Sequence, residues 1–305
     1  AEIDNVSIDN CGVASTSLNQ TVFGCADVGD NTVVLTVTDN NGNQSTCNAT
    51  VTVEDNIAPI ALCQGVTVQL DDNGNGSITP ADVDNGSKDD CGVSGLMLDQ
   101  TDFTCVDLGD NLVTLTVTDN NGNQSNCTAT ISVEDNIAPI AICQDLTIDL
   151  DANGSASISE ADIDNGSTDA CGVASLSLDN SSFGCVDVGG NTVVLTITDN
   201  NGNQSTCSAT ITVTDTEAPA ITCPADIEVD NDSGLCGAVV NYAAVTATDN
   251  CSANVSQTAG LGSGATYPIG ITTESFTATD PSGNQATCSF TVTVTKTGDH
   301  NLIIV

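Results

Sequence analysis

Cysteine recurs in this chain with a fixed step of 80 residues. Cys11, Cys91 and Cys171 keep that step, as do Cys25, Cys105 and Cys185, then Cys47, Cys127 and Cys207, then Cys63, Cys143 and Cys223. The surroundings repeat as well. TDNNGNQS stands at 38–45, 118–125 and 198–205, and DNIAPIA at 55–61 and 135–141 returns loosely as DTEAPAI at 215–221. Such a period marks a tandem array of small modules. The 305 residues divide into a partial module 1–54, full modules 55–134 and 135–214, a divergent module 215–297, and a tail or the start of a further segment at 298–305. The first module lacks its opening quarter, so the odd total of 15 cysteines reads as that of a fragment of a longer array.

Within a module the hydrophobic pattern has period two. In LVTLTVTD (112–119), Val113, Leu115 and Val117 point one way and Thr114 and Thr116 the other; Cys127, Ala129, Ile131 and Val133 share a face, as do Leu146, Ile148 and Leu150. Strict alternation bounded by Gly, Asn and Asp clusters predicts half-buried strands joined by tight turns. In the second module the strands fall near 65–71, 76–80, 92–98, 101–105, 111–118 and 126–133. No stretch keeps a helical period beyond two turns. The fold class is therefore all-β, a tandem array of immunoglobulin-like antiparallel β-sandwich modules. Phe23, Phe103 and Phe183 recur as the one large core residue of each module. A core so thin calls for disulfides.

Charge narrows the function. Asp and Glu number 41 against two Lys and no Arg, for a formal net charge of −39. Phosphate binding needs cations, so nucleic acid is excluded as a partner, and docking on anionic membrane is disfavoured. No apolar run is long enough to span a bilayer, and the opening AEIDNVSIDN is not a signal peptide. With one His, in the tail, and no cleft in modules this small, the chain is not expected to be an enzyme. Fifteen cysteines in so acidic a chain point to an extracellular, oxidising compartment.

Four cysteines per module allow three pairings. The divergent module shares three positions and replaces Cys105 by Cys236. The shared positions, and the ends of a sandwich at which they fall, predict Cys63–Cys91, Cys143–Cys171 and Cys223–Cys251. They leave Cys25–Cys47, Cys105–Cys127, Cys185–Cys207 and Cys236–Cys288, with Cys11 unpaired. No CxxC pair exists to suggest zinc.

The carboxylates cluster in turns and linkers. The B–C loops carry Asp82, Asp84 and Asp89, then Asp162, Asp164 and Asp169. The F–G turns carry Asp119 and Asn121, then Asp199 and Asn201; the linkers carry Glu54, Asp55 and Asn56, then Glu134, Asp135 and Asn136, then Asp215 and Glu217. Alternating Asp and Asn oxygens suit Ca²⁺, which takes six to eight oxygen ligands. In a sandwich the linker lies between the lower turns of one module and the upper loops of the next, so a structural Ca²⁺ is expected there. Ordinary solvated turn chemistry is the alternative.

The divergent module reads APAITCPADIEV, CGAVVNYAAVTATDNCS and YPIGITTESFTATDPSGNQATCSFTVTV. It resembles an HYR (hyalin repeat) domain, an immunoglobulin-like module of extracellular proteins. The earlier modules resemble repeats of large surface proteins of Bacteroidota, including SprB-like gliding adhesins, but carry Cys63-Gln64 and Cys143-Gln144 in place of CP. EDNIAP resembles the calcium-binding linker of cadherins. These resemblances imply an adhesive or stalk role at a bacterial cell surface, as a filament whose immediate partners are neighbouring repeats of the same chain. The alternative is a glycan- or protein-binding module using the loops of 215–297, with Tyr242 and Tyr267 as candidate contacts.

Overall fold

The computed structural model describes residues 3–297, so the segment 298–305 lies outside the described residues. The chain forms two compact units, 1–137 and 138–305.

Module 55–134 shows the plan. Its strands are Val66–Gln69, Asn75–Ser77, Val93–Leu98, Asp102–Thr104, Gly109–Asp119 and Gln124–Glu134, close to the expected spans. Four form one sheet in the order Val66–Gln69, Gln124–Glu134, Gly109–Asp119, Val93–Leu98; the two short ones form the second sheet. Alternation dictates the buried face: Val113, Leu115 and Val117 are fully buried from one strand, Ala129, Ile131 and Val133 from the next. The pairing is antiparallel with one exception. The first strand runs parallel to the last, Val66 opposite Ile131 and Val68 opposite Val133. Modules 135–214 and 215–297 repeat that exception, with Leu146 opposite Ile211 and Ile227 opposite Val292.

One-turn helices, Pro80–Val83 and Glu160–Ile163, interrupt the strand pattern. Thr79 and Asp82 form a capping box around the first, with Pro80 at its start, and Ser159 and Asp162 cap the second. Each turn drives one apolar side chain, Val83 or Ile163, fully into the core.

Phe103 and Phe183 are buried as expected, but Phe23 is only half-buried. Phe103 packs in register with Gly76 and Phe183 with Ala156 on the facing short strand. Among the described residues, the first module has the one sheet of Val13–Leu18, Gly29–Asp39 and Gln44–Val53, with no facing strand over Phe23.

Module 215–297 rebuilds this core. Tyr267 stands where Phe103 and Phe183 stand, and Glu274, opposite Phe290, occupies the register position of Val113 opposite Ala129. Glu274 is fully buried. Tyr267 Oη donates to its Oε1 at 2.9 Å, Tyr242 Oη to Oε2 at 2.9 Å and Gln257 Nε2 to Oε2 at 2.7 Å. The N–H groups of Leu261 and Gly262 add bonds of 2.7 and 3.2 Å. Burial pushes the Glu274 carboxyl up, but this ring of donors outweighs it and holds the pKa below the ordinary 4.5. Burial also pushes the Tyr267 phenol up, reinforced by Glu274. The carboxylate thereby pins the loop 259–264. Gly260, at φ +102°, is required there because a Cβ would collide with the Glu274 carboxylate. Tyr242 packs edge-on to Phe290 at 4.9 Å. Both tyrosines are therefore committed to this interior network, and Tyr267, fully buried, is no ligand contact.

The depressed pKa makes the stabilisation by Glu274 complete above its unfolded-state value and lost as pH falls through the folded-state value. The thermal midpoint of module 215–297 is expected to fall as pH drops below about 4.5. Glu274→Gln, which turns an amide N–H₂ toward the surrounding donors, lowers the midpoint at pH 7 and flattens that acid limb. Gly260→Ala lowers it at every pH. Calorimetry across pH 3–7 checks all three.

Candidate inter-module site

The disulfides differ from the sequence expectation at every pair. The observed bridges are Cys63–Cys127, Cys143–Cys207 and Cys223–Cys288 within modules, and Cys25–Cys91 and Cys185–Cys251 between successive modules. Cys105 and Cys171 are also disulfide-bonded. The predicted Cys63–Cys91, Cys143–Cys171, Cys223–Cys251, Cys25–Cys47, Cys105–Cys127, Cys185–Cys207 and Cys236–Cys288 are therefore all corrected. The parallel pairing of first and last strands is the reason. It sets Cys63 beside Cys127, with Cα atoms 5.9 Å apart. The loop bearing Cys91 is left to face the module before it, where Cys25 opens a 3₁₀ turn. Cys11 is free as expected, and so are Cys47 and Cys236; all three are exposed.

Loop lengths of 64 to 66 residues place each bridge at about 4 kcal/mol in the chain-entropy model. The bridges within 138–305 also overlap. Between Cys143 and Cys288 the shortest covalent path crosses Cys143–Cys207 and Cys223–Cys288, leaving only the 16 residues from 207 to 223 as slack.

Most predicted acidic residues serve their own loops. Asp119 is buried; its Oδ1 accepts the Asn121 and Asn123 N–H groups and its Oδ2 the Asn123 side chain, all at 2.8 Å. Burial pushes the Asp119 carboxyl up, but the bonds from Asn123 and Asn121 bring it below the ordinary value. Asp199 holds Asn201 and Asn203 in the same way. The repeated DNNGN motif is thus a hairpin turn built on its first Asp, and Asn121 and Asn201 offer it backbone N–H groups while their side chains are exposed. Asp82 and Asp162 cap the one-turn helices through Thr79 and Ser159. Asp84 and Asp164 accept the Ser87 and Ser167 N–H groups at 2.9 Å. Glu54 holds the Asn56 side chain, and Glu134 holds those of Gln69 and Asn136. Asp135 is buried and accepts the Ile137 N–H at 3.1 Å; Asp169 accepts the Cys171 and Gly172 N–H groups. Glu217 is exposed.

Within each compact unit, one junction brings linker and loop carboxylates together. At 54–55, single ligand atoms of Asp55, Asp89 and Cys91 lie within 4.8 Å of one another, although Cys91 sulfur is already committed to Cys25. Asp55 Oδ2 is buried without a hydrogen-bond partner. At 214–215 the group is all carboxylate: Asp215, Asp249 and Asp280, again within 4.8 Å. Asp215 and Asp280 are 6% and 5% exposed. Asp249 Oδ2 accepts the Cys251 and Ser252 N–H groups, while its Oδ1 is buried and unpartnered. Asn250, between Asp249 and the bridge cysteine, donates to Asp215 Oδ1 at 3.2 Å and to the Asp151 carbonyl of the preceding module at 3.1 Å. Three like charges at this spacing repel by roughly 3 kcal/mol per pair at an effective dielectric of 20. Oxygens on opposite sides of one Ca²⁺ stand about 4.6–5.2 Å apart, so this group fits such an ion. The sequence reading missed Asp249 and Asp280, although they follow Asp169 and Asp199 by 80 and 81 residues.

In denaturant, Cys143 and Cys288 of the oxidised chain are expected to separate by no more than about 66 Å, from 16 residues at ~3.4 Å each and the 5.7 and 5.9 Å Cα–Cα spans of the two bridges. Full reduction releases 145 residues of contour. Single-molecule pulling with handles beside these positions, before and after reductant, reads the difference directly.

Residues 214–294 match the model of the HYR domain. Over 282 residues the chain is 30% identical to hyalin of Strongylocentrotus purpuratus, covering 86% of this chain and 23% of that protein. It is likewise 30% identical to hyalin of Lytechinus variegatus, covering 87% of this chain and 52% of that protein. The chain thus spans from a quarter to a half of the curated relatives it matches. Among solved structures it is similar to the protocadherin γB4 extracellular domain, at TM-score 0.31 and 15% identity over 94% of this chain and 62% of that one. It is similar also to sidekick-1 immunoglobulin domains 1–5, at TM-score 0.34 and 12% identity over 90% and 68%. Residues 214–294 thus match the HYR domain, and modules 55–134, 135–214 and 215–297 share one immunoglobulin-like β-sandwich plan.

Proposed function

We propose that this chain is an extracellular adhesive repeat array, in which disulfides hold each module and Ca²⁺ stiffens the junctions. The observation that carries the reading is the coincidence at 214–215 of an inter-module bridge, Cys185–Cys251, with three gathered carboxylates that include the unpartnered Asp249 Oδ1. A linker alone allows two modules to bend and twist. A second covalent tether leaves at most a hinge, and an ion shared by linker and loops would close it. Asp215, Asp249 and Asp280 would hold the ion here, and Asp55 and Asp89 at the junction 54–55. The ion would supply positive charge and rigidity.

The HYR match and the hyalin relatives support the extracellular, adhesion-type role. No helix among the described residues is long and apolar enough to cross a membrane. The near-identity of the first three modules favours a spacer over a ligand-specific site. The finer reading, a stalk or filament of a bacterial gliding adhesin, follows the resemblance of those modules to Bacteroidota surface repeats.

The intact oxidised chain is expected to bind calcium saturably in calorimetry, at least tenfold more weakly in Asp249→Asn. At free calcium 100 times the dissociation constant the folded state gains about 2.7 kcal/mol, read as a raised melting midpoint. In small-angle scattering the maximum dimension should grow between chelator and millimolar calcium. An unchanged scattering profile and midpoint would reduce the acidic loops to solvated turns.

A further inference from the structure

The bridge Cys185–Cys251 closes a junction that the charges beside it oppose. Asp215 follows the strand Gln204–Thr214 that ends module 135–214, while Asp249 and Asp280 stand in loops of module 215–297. One carboxylate oxygen from each lies within 4.8 Å of the others. Asp215 and Asp280 are almost fully buried, where salt screens charge far less than at the surface. Burial pushes the Asp280 carboxyl up, but the bonds from Asn284 bring it below the ordinary value, so it is ionised at neutral pH. Asp249 Oδ1 is buried with no donor to offset its charge.

No cation balances this group. The stretches 151–154, 214–217, 249–252 and 280–284 that meet at the junction contain neither Lys nor Arg. Neutral donors alone work against the repulsion. Asn250 donates to the Asp151 carbonyl at 3.1 Å and to Asp215 Oδ1 at 3.2 Å, Asn284 to the Asp215 carbonyl at 2.9 Å, and Ser282 to Asp215 Oδ2 at 3.4 Å. The covalent bond between Cys185 and Cys251 therefore holds a linker carboxylate against two carboxylates of the next module.

The bridge is also within reach of a reductant. Cys185 and Cys251 line a groove of about 440 Å³ together with Val186, Val188, Pro281 and Ser282. Val186 is 95% exposed. The bridges Cys143–Cys207 and Cys223–Cys288 each lie within one module, so breaking either does not free Asp215 from the loops of the next. Repulsion that is felt only while a bridge is closed favours its dithiol form, and an accessible bridge under such a load belongs to the labile class.

We infer that Cys185–Cys251 is a charge-loaded latch, which a dithiol opens in preference to the bridges within modules. The inference goes beyond the array reading and holds with no ion at the site. One thiolate of the dithiol attacks a bridge sulfur, forms a mixed disulfide and expels the other cysteine as thiolate. The second thiolate attacks the mixed disulfide at the dithiol's own sulfur, closes a cyclic disulfide and expels the remaining cysteine. Two electrons pass from dithiol to bridge, and the two thiol protons go to Cys185 and Cys251. The linker alone then joins the two modules.

The test uses the intact oxidised chain in chelator, with the free thiols of Cys11, Cys47 and Cys236 blocked beforehand. It is equilibrated with graded ratios of reduced to oxidised dithiothreitol, quenched in acid, alkylated and peptide-mapped. Cys185–Cys251 should be half-reduced at a ratio about tenfold or more below that for Cys143–Cys207 and Cys223–Cys288. Asp215→Asn and Asp249→Asn should each raise its ratio by about tenfold, since each removes one charge from two repelling pairs. Either substitution keeps an oxygen to accept the Asn250 side chain or the Cys251 N–H, and unmoved values for the two bridges within modules control for folding. Reduction of all three bridges at one ratio, or later reduction of Cys185–Cys251, would overturn the latch. So would an unchanged ratio in both Asn variants, which would leave exposure alone to set the reactivity.

Discussion

The junctions at 54–55 and 214–215 are each crossed twice by covalent bonds, once by the backbone and once by a disulfide. Most of what distinguishes this chain depends on that double crossing. It removes freedom that a flexible linker would keep, and it holds the linker aspartate against the loop aspartate of the next module. Asp55 meets Asp89, and Asp215 meets Asp249, next to the bridge in each case. The charge concentrated there is tolerable in a folded state because the bridge resists the repulsion, and a divalent cation would turn that repulsion into attraction.

The double crossing originates inside the module. The parallel pairing of first and last strands closes the larger sheet and consumes Cys63 and Cys127 at its edge. This bridge links the point where the chain enters a module to the strand by which it leaves, so tension passes around the core rather than through it. That suits a core containing one large aromatic side chain, whose apolar burial alone would resist little force. The terminal module solves the same problem differently, adding Phe276 and Phe290 and replacing a buried valine by Glu274 with a full set of donors. A carboxylate so enclosed is tolerable only because every donor is in place.

The acidic residues show why composition is a poor guide to a site. Asp119, Asp82 and Asp84 carry the same charge as Asp55 and Asp89, yet they satisfy backbone N–H groups of a hairpin, a one-turn helix and a bend. What sets Asp55 and Asp249 apart is an oxygen left over. Asp249 Oδ1 and Asp55 Oδ2 are buried without a partner after the local turn has taken its bonds.

The 80-residue step, the alternation and the turn residues determined by themselves the all-β repeat, the strands to within a few residues and the buried face of each strand. All of these are local or periodic properties, and a pattern of period two has one physical solution. The cysteine pairing was decided only in three dimensions. Sequence spacing records which positions recur, but a bridge between modules and a bridge within one produce the same 80-residue recurrence. Only the parallel edge strand, a contact between the two ends of a module, sends Cys63 to Cys127 and turns Cys91 outward to Cys25. The same holds for Asp249 and Asp280: the repeat step could have named them, but their convergence on Asp215 exists only where one module is folded against the next.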